Sequence, residues 1–453
     1  MHKFDNRASK ILLNVLSHTI DRLSMSPPAL DNPKTVDFFE RNAPCLISEN
    51  GNSIETVFDQ YKNVLEESII SADSPRNLSF IPAAPTKAAM IFDLVVSAGS
   101  IRGESWQESS GAVWAENQVL RWIADLIGFP QEAGGCFVSG GTNGNLSALV
   151  TAREQYRKLN TDNTKPLAIL CSNQTHSSVK SVAKVVDCTV ITVPTNDLFQ
   201  LTGEAIKAEL ASNDDYLNYS IFAIIATAGT TNLGVVDDIE SIALVAKSIN
   251  AWLHIDGAYG GAGLLSPKVR DLYKGIERAD SFIVDPHKWL FAPIDCAAVV
   301  YRNRKMASET HAQKASYLDV LHEEGEGENP SDYAFHLSRR ARGLPLWFSL
   351  SVYGVSAYRE AVEQSLDLAK YAAATIQESD YLSLVIEPSL SVVVFERNGW
   401  DWAEYKQWSE NQLENQVCFV VPSLVAGKPV LRFAFLNPET STEIVNEILL
   451  SLK

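Results

Sequence analysis

The chain has 453 residues, which is long for a single domain core, so two or three lobes are expected. Its hydrophobic share of 46% and charged share of 21% are ordinary for a soluble globular protein, and a net charge of −17 disfavours nucleic acid and anionic membranes as partners. No apolar run is as long as a membrane span, and the N-terminus lacks a secretory signal pattern. Six scattered cysteines without a CxxC pair predict reduced thiols in a cytoplasmic protein and no metal site.

The first quarter of the chain predicts helices that flank one irregular loop. Apolar residues at 12, 15, 16, 20 and 23 give an amphipathic spacing over residues 11–23. The stretch 75–90, PRNLSFIPAAPTKAAM, contains three prolines and predicts an extended loop that leads into a helix. Trp106 precedes a further helical pattern and could equally be a core residue or a site residue.

A glycine-rich turn follows the first predicted strand. Residues 134–153, GGCFVSGGTNGNLSALVTAR, suggest a short strand, a turn and a helix that begins near Asn145. Glycines let backbone N–H groups approach a phosphate, and a helix N-terminus adds positive partial charge. The turn is not GxGxxG, so tight packing alone would also explain it.

Two more buried strands carry polar residues after their last apolar position. The strand over 167–171 is followed by His176-Ser177-Ser178 at the start of a helix, where a histidine is often only a cap or core residue. The run 221–226 is almost continuously apolar, which is typical of a central parallel strand. Thr227 stands at its carboxyl end, in a turn that needs no ligand to explain it.

A carboxylate and an amine end the next two predicted strands. Asp256 follows the strand 252–255, and Lys288 lies 32 positions later, after the strand 282–284. That separation allows a crossover between parallel strands, whose carboxyl ends bind ligands in open α/β sheets. Pyridoxal phosphate needs a neutral lysine for its aldehyde and a carboxylate for its ring nitrogen, and burial favours a neutral lysine. A lysine that merely reaches solvent is the alternative.

The last third begins with a loop and ends in alternating helix and strand. Residues 322–332, HEEGEGENPSD, are acidic and glycine-rich, which predicts a mobile loop before Tyr333. A long helix is predicted over 347–361. Strands are then predicted over 390–395, 417–421 and 430–436.

The segments Asp256-Gly257-Ala258-Tyr259 and Pro286-His287-Lys288-Trp289 closely resemble the group II pyridoxal-phosphate amino-acid decarboxylases. Matching blocks run from about Pro75 to about Phe435. The resemblance implies an α/β enzyme of the aspartate-aminotransferase-like fold type I, with a mostly parallel seven-stranded sheet in a large domain and a small C-terminal α+β domain. It implies a homodimer as well. We expect an N-terminal helical segment over 1–110, the large domain over 111–345 and the small domain over 346–453.

The resemblance also implies roles for individual residues. Lys288 would form the Schiff base with pyridoxal 5'-phosphate, and Tyr333, on the loop, would protonate the substrate carbon, with His176 as a further catalytic residue. The expected cofactor contacts are Gly141, Thr142, Asn143, His176, Thr227, Asp256, Ala258, His287 and Lys288. The expected substrate pocket consists of Phe80, Ile81, Pro82, Ala83 and Trp106.

The expected reaction is decarboxylation of an L-amino acid to its amine and CO2. Transamination and decarboxylation-dependent aldehyde synthesis are the alternatives on the same fold. Phe80-Ile81-Pro82-Ala83 replaces the Tyr-Phe-Pro-Thr of aromatic-acid members, so the substrate is not identified. Asp285 stands where several members have an asparagine that contacts the phosphate.

Overall fold

The computed structural model describes residues 2–82, 84–161, 164–313 and 328–453. The chain begins with helices α1 Asn6–Ser24, α2 Val36–Asn42 and α3 Ile54–Gln60, none of which contains a buried residue. The predicted helix over 11–23 therefore exists, but its apolar side chains stay exposed in a single chain. No helix in the described part of the chain is both long and apolar enough to cross a membrane.

A seven-stranded sheet forms the centre of the molecule, with the order β1-β7-β6-β5-β4-β2-β3. All neighbouring strands run parallel except β7, which is antiparallel to both β1 and β6. This confirms the mostly parallel sheet of the expected fold. The strands are β1 Gly134–Val138, β2 Leu167–Ser172, β3 Thr189–Val193, β4 Ser220–Thr227, β5 Trp252–Asp256, β6 Ser281–Val284 and β7 Ala297–Tyr301.

Helices cover the sheet and bury both of its faces, which is why the central strands are nearly all apolar. The long α6 starts at Gly141, four residues earlier than expected. The crossover that connects β5 to β6 was predicted from the spacing of Asp256 and Lys288. It consists of short 3₁₀ turns in place of an α-helix. These helices are α4 Lys87–Ala98, α5 Trp106–Ile127, α6 Gly141–Leu159, α7 Ser177–Val185, α8 Gly203–Ser212, α9 Ile239–Ser248 and α10 Arg304–His311.

A second, antiparallel sheet of four strands lies in the C-terminal part, in the order β10-β11-β9-β8. Its strands are β8 Leu382–Ile386, β9 Val392–Arg397, β10 Ser423–Val425 and β11 Lys428–Ala434. The helices are α11 Leu344–Gln377, α12 Trp402–Glu414 and α13 Thr442–Leu450. The strand predicted over 417–421 was wrong, because this stretch makes only an isolated bridge from Phe419 to Asn77.

The helix α11 contacts α4 and α5 at one end and β8 and β9 at the other. Gly354 within it has φ +77°, a conformation that L side chains rarely adopt, and the helix kinks there. The predicted domain boundaries at 110 and 345 fall inside α5 and α11, and they stay a prediction.

Candidate active site

The carboxyl ends of β4, β5 and β6 lie side by side and place the polar residues of three motifs together. Thr227 pairs with Asp256 across the β4–β5 register, and Asp256 pairs with Ile283 across β5–β6. Lys288 is the fourth residue after the end of β6, directly after Asp285-Pro286-His287. The parallel register therefore gathers side chains that are far apart along the sequence.

The glycine turn after β1 forms one end of this site. Gly140 caps α6 without a side chain, so the first N–H groups of the helix are not used by a capping residue. A Cβ on Gly141 would lie 3.0 Å from both carboxylate oxygens of Asp285, which explains the need for glycine. Unused N–H groups at the start of a 19-residue helix are suited to an anion such as a phosphate.

Asp256 is 4% exposed and has both carboxylate oxygens anchored. Its Oδ1 accepts a hydrogen bond from the N–H of Ala258 at 3.1 Å, and its Oδ2 accepts one from Asn145 Nδ2 at 3.0 Å. Beside it, the buried hydroxyl of Thr227 has no hydrogen-bond partner. A buried hydroxyl without a partner is costly, so a bound group that accepts its hydrogen bond would relieve the cost.

His176 caps α7, because its Nδ1 accepts a hydrogen bond from the N–H of Ser178 at 3.2 Å. The hydroxyl of Ser178 lies 2.8 Å from the same nitrogen. Both interactions hold the imidazole at the wall of the site. His176 is therefore a helix cap, as one of the two sequence interpretations held, and it also lines the cavity.

Lys288 is paired with a buried carboxylate. Its Nζ lies 2.8 Å from Asp285 Oδ2, while Asp285 Oδ1 is buried and has no partner. His287 Nε2 lies 3.6 Å from the same Oδ2, and His287 Nδ1 accepts a hydrogen bond from the N–H of Cys296 at 3.0 Å. Burial lowers the pKa of His287, although the charge of Asp285 opposes that shift.

These residues line one cavity of about 290 Å³. It contains most of the cofactor contacts that the sequence predicted, namely Gly141, Thr142, His176, Thr227, Asp256, Ala258, His287 and Lys288. Asn143 lies in the same first turn of α6 without lining the cavity. The sequence patterns did not single out further lining residues, which include Ser139, Asn145, Ser178, Thr231, Tyr259, Ile294 and Asp295.

Four of the five predicted substrate residues lie outside this lining. Phe80 is 64% exposed with φ +55°, and its carbonyl oxygen accepts a hydrogen bond from Arg432, which also donates to the carbonyl of Thr231 at the cavity. Ile81 packs against the main core and Pro82 is buried, whereas Ala83 lies outside the described residues. Trp106 begins α5, and its N–H donates to Asn329 Oδ1. Within one chain, none of the four described residues reaches the cavity lining.

Tyr333, the expected proton donor, does not line this cavity within one chain. Tyr333 is 6% exposed and packs in a core cluster on β1 and β7, together with Val138 and Tyr301. Burial and the nearby charge of Glu328 raise the pKa of its phenol well above the ordinary value. The aromatic ring packs in that core cluster, and the hydroxyl is hydrogen-bonded to Glu328. A second tyrosine that could donate the proton, Tyr317, lies outside the described residues.

The lining fits pyridoxal 5'-phosphate in its donors and charges. The helix start at Gly141 suits the phosphate, the anchored carboxylate of Asp256 suits a protonated ring nitrogen, and the free hydroxyl of Thr227 suits a ring oxygen. The amine of Lys288 is within the same cavity for the aldehyde. The carboxylate of Asp285 is the one misfit, because it lies against the glycine turn.

Comparisons with known proteins agree with this chemistry. Residues 39–398 match the model of the pyridoxal-dependent decarboxylase conserved domain. The chain is 31% identical to an aromatic-L-amino-acid decarboxylase of Bacillus atrophaeus, over 90% of this chain and 86% of the relative. It is 28% identical to a 4-hydroxyphenylacetaldehyde synthase of Rhodiola rosea, over 76% of this chain and 72% of the relative.

A solved structure has the same fold. The chain superimposes on the crystal structure of Oryza sativa TDC with PLP and tryptamine with a TM-score of 0.90 and 23% identity, over 100% of this chain and 99% of the other. At that identity the likeness concerns the fold. Taken together with the matched family model, these results show that the chain belongs to the pyridoxal-dependent decarboxylase family and is an amino-acid carboxy-lyase that uses pyridoxal 5'-phosphate.

Proposed function

We propose that this cavity removes the α-carboxyl group of an L-amino acid and releases the amine, with Lys288 as the residue that carries the cofactor. The observation that supports this most is the meeting of Lys288, Asp256 and Thr227 at three adjacent strand ends. The N–H groups of Gly141 and Thr142 would hold the phosphate. When bound, the cofactor supplies an electron sink for the bond pair that CO2 leaves behind.

Each protein group then has one task. Lys288 binds and releases the cofactor as the substrate amine arrives, and Asp256 keeps a proton at the ring nitrogen. His176, Ala258 and His287 would hold the cofactor from the walls of the cavity, and Asn143 would contribute from the first turn of α6. The protein chooses the reaction by orientation, because the bond that lies perpendicular to the ring is the one that breaks.

Among substrates, we place a neutral aromatic amino acid first. The relative with 31% identity acts on aromatic L-amino acids. The described lining already holds the carboxylates of Asp256, Asp285 and Asp295, and the exposed side chain of Ile294 is apolar. A substrate with a second carboxylate would meet repulsion from these charges. Phe80, Ile81, Pro82, Ala83 and Trp106 stay as proposed substrate contacts.

The experiment that tests this function is a screen of CO2 and amine release over aromatic, acidic and basic L-amino acids with the purified holoenzyme. We expect an aromatic substrate to give the highest kcat/KM, with equal amounts of amine and CO2. Selective turnover of an acidic substrate would overturn the choice of substrate. The absence of CO2 release from every amino acid would overturn the proposed reaction.

Aldehyde synthesis is the second candidate, and two observations favour keeping it. A relative with 28% identity is a 4-hydroxyphenylacetaldehyde synthase. In addition, the phenol that was expected to return the proton, that of Tyr333, is enclosed in its own core. The ratio of amine to aldehyde in the same screen separates the two reactions.

Asp285 should weaken cofactor binding in this chain. Its carboxylate lies 3.0 Å from the position of a Cβ on Gly141, at the proposed phosphate site, and two like charges repel strongly in a buried place. We therefore expect Asp285→Asn to bind pyridoxal 5'-phosphate about tenfold more tightly than the parent. Fluorescence titration of the cofactor-free proteins measures this change.

The control for this prediction is Asp125→Asn, because Asp125 is a carboxylate of α5 that does not line the cavity. It should leave the affinity unchanged. Weaker binding by Asp285→Asn would show that the carboxylate supports the site, through its ion pair with Lys288, more than it repels the phosphate.

We propose further that the protein is a homodimer of the cytoplasm. The helices α1, α2 and α3 bury no residue in a single chain, and Leu13 and Ile20 of α1 are more than 60% exposed. Helices in proteins are stabilised mainly by packing an apolar face, so a second copy that covers the exposed apolar side chains of α1 suits it best. The six free cysteines support a reducing compartment.

Sedimentation should therefore give twice the mass of one chain. The double substitution Leu13→Glu and Ile20→Glu should shift the protein to a monomer, because each charge would be buried in the interface. An equally exposed leucine at the end of α6 provides the control, and Leu159→Glu should stay dimeric. A parent protein that sediments as a monomer, fully active at the working concentration, would contradict the proposal.

A further inference from the structure

Asn145 lies beneath the cavity and uses three of its hydrogen-bonding positions on two other elements. The residue is 1% exposed and belongs to the first turns of α6. Its Nδ2 donates to Asp256 Oδ2 at 3.0 Å and to Ser178 Oγ at 3.1 Å. Its Oδ1 lies 2.8 Å from His254 Nε2. One buried amide thus contacts the strand β5 twice and the helix α7 once.

The groups around Asn145 determine the orientation of its amide and the tautomer of His254. An ionised carboxylate only accepts hydrogen bonds, so the amide nitrogen of Asn145 faces Asp256 and its oxygen faces His254. His254 Nε2 must then carry a proton, and its Nδ1 is left to accept the hydroxyl proton of Ser281 at 2.8 Å. The indole N–H of Trp252 donates to the same hydroxyl at 2.8 Å. Every polar group in this row has a partner.

A neutral His254 agrees with this assignment. The residue is fully buried, and burial lowers its pKa to about 4, although the charge of Asp256 opposes the shift. Near neutral pH the ring thus carries one proton, on Nε2, and this N–H donates a hydrogen bond to Asn145 Oδ1. The negative charge of Asp256 is then left uncompensated within the network, free to attract a protonated ring nitrogen in the cavity.

The second branch of the network reaches His176. The hydroxyl of Ser178 accepts a hydrogen bond from Asn145, so its own proton is available for His176 Nδ1 at 2.8 Å. The N–H of Ser178 points to the same nitrogen. Nδ1 of His176 is therefore an acceptor, and the proton of the neutral ring is on Nε2.

We infer that Asn145 is a positioning residue that orients Asp256 and sets the tautomer of His176 through one buried amide. The inference rests on the proposed function, because it takes both residues as contacts of the cofactor ring. Asn145 also lies one turn after Gly141 on the same helix. The phosphate end and the ring end of the site are thereby tied to one rigid element.

The test is a binding titration with two ligands, pyridoxal 5'-phosphate and its 1-deaza analogue, in which a CH group replaces the ring nitrogen. Asn145→Leu keeps the size of the side chain but removes the hydrogen bonds. We expect it to bind the natural cofactor about ten- to a hundredfold more weakly than the parent. The analogue gives Asp256 no partner, so its affinity should change much less.

A matched control removes another buried polar group from the same helix. Thr151 is fully buried on α6, and its hydroxyl lies 3.1 Å from His311 Nε2, away from the cavity lining. Thr151→Val should leave the affinity for both ligands at the parental value. If Asn145→Leu does not fold, Asn145→Ala, which leaves room for water, takes its place with the same expectation.

Equal weakening for both ligands would overturn the inference, since Asn145 would then act on the general shape of the site. So would an unchanged affinity of the Asn145 variant for the natural cofactor. The variant Asp256→Asn distinguishes the inferred role of Asn145 from the proposed role of Asp256. If Asp256→Asn loses the preference for the natural cofactor while Asn145→Leu keeps it, only the inference fails. If Asp256→Asn also keeps it, the proposed role of Asp256 fails first.

Discussion

Lys288→Ala is expected to lower the rate of CO2 release by about a thousandfold or more, because the variant lacks the amine that binds the cofactor and moves protons. The protein should remain folded, since Lys288 is a quarter exposed and is not part of the apolar core. In the parent, borohydride should fix the cofactor on the protein, and peptide mapping should find it on Lys288. In the variant, the cofactor should wash out on dialysis.

The control is an exposed lysine of the same protein. Lys274 pairs with Glu240 at the surface, and Lys274→Ala should keep both the activity and the borohydride adduct. An adduct on any lysine other than Lys288 would overturn the assignment of the site. A Lys288→Ala variant that kept substantial turnover would do so as well.

The second large effect concerns the return of a proton after CO2 has left. Within one chain Tyr333 is buried in the cluster on β1 and β7 and does not line the cavity, so we expect another group to return the proton. We expect Tyr333→Phe to leave the ratio of amine to CO2 at the parental value and to cost roughly 1 kcal/mol of unfolding free energy. Tyr317→Phe should keep CO2 release but lower the amine yield several-fold, with carbonyl product in its place.

The measurement is amine, aldehyde and CO2 from the same reaction under air, for the parent and both variants. Thermal unfolding of the two variants checks that only Tyr333→Phe changes stability. A fall in amine yield for Tyr333→Phe would reinstate this residue as the donor. Unchanged ratios in both variants would leave His176 or a water molecule as the source of the proton.

Local patterns predicted the parts of the site that depend on short segments. The apolar run before Thr227 indicated a central strand, because a strand buried on both faces has no polar positions. Asp256 and Lys288 each follow such a run, and parallel strands bring their carboxyl ends to one edge. The glycine turn before α6 was expected from its composition, because glycines let backbone N–H groups approach a phosphate. In the structure, a Cβ on Gly141 would lie only 3.0 Å from the carboxylate oxygens of Asp285.

Local patterns did not predict two features that depend on tertiary packing, namely the burial of Tyr333 and the absence of a strand at 417–421. The acidic stretch 322–332 predicted a mobile loop before Tyr333, and residues 322–327 of it lie outside the described part of the chain. The ring of Tyr333 itself is buried against β1 and β7, because removing an aromatic ring from water is favourable. The apolar run at 417–421 had the composition of a strand. It lies beside Asn77 instead of a full partner strand, so it makes one bridge and no ladder.

The sequence by itself predicted most of the strands and helices and the strand ends at which Asp256 and Lys288 lie, because these depend on periodicity and on residues at element ends. The expected roles of the two residues came from the resemblance to the decarboxylase family. Only the tertiary structure decided which polar side chains meet. Asn145, Ser178 and His254 come from three separate motifs, and none of them is unusual in its own segment. Packing of α6 and α7 against β5 places the amide of Asn145 within 3.1 Å of polar atoms of Ser178, Asp256 and His254. Because all of these groups are buried, each must be satisfied by a hydrogen bond.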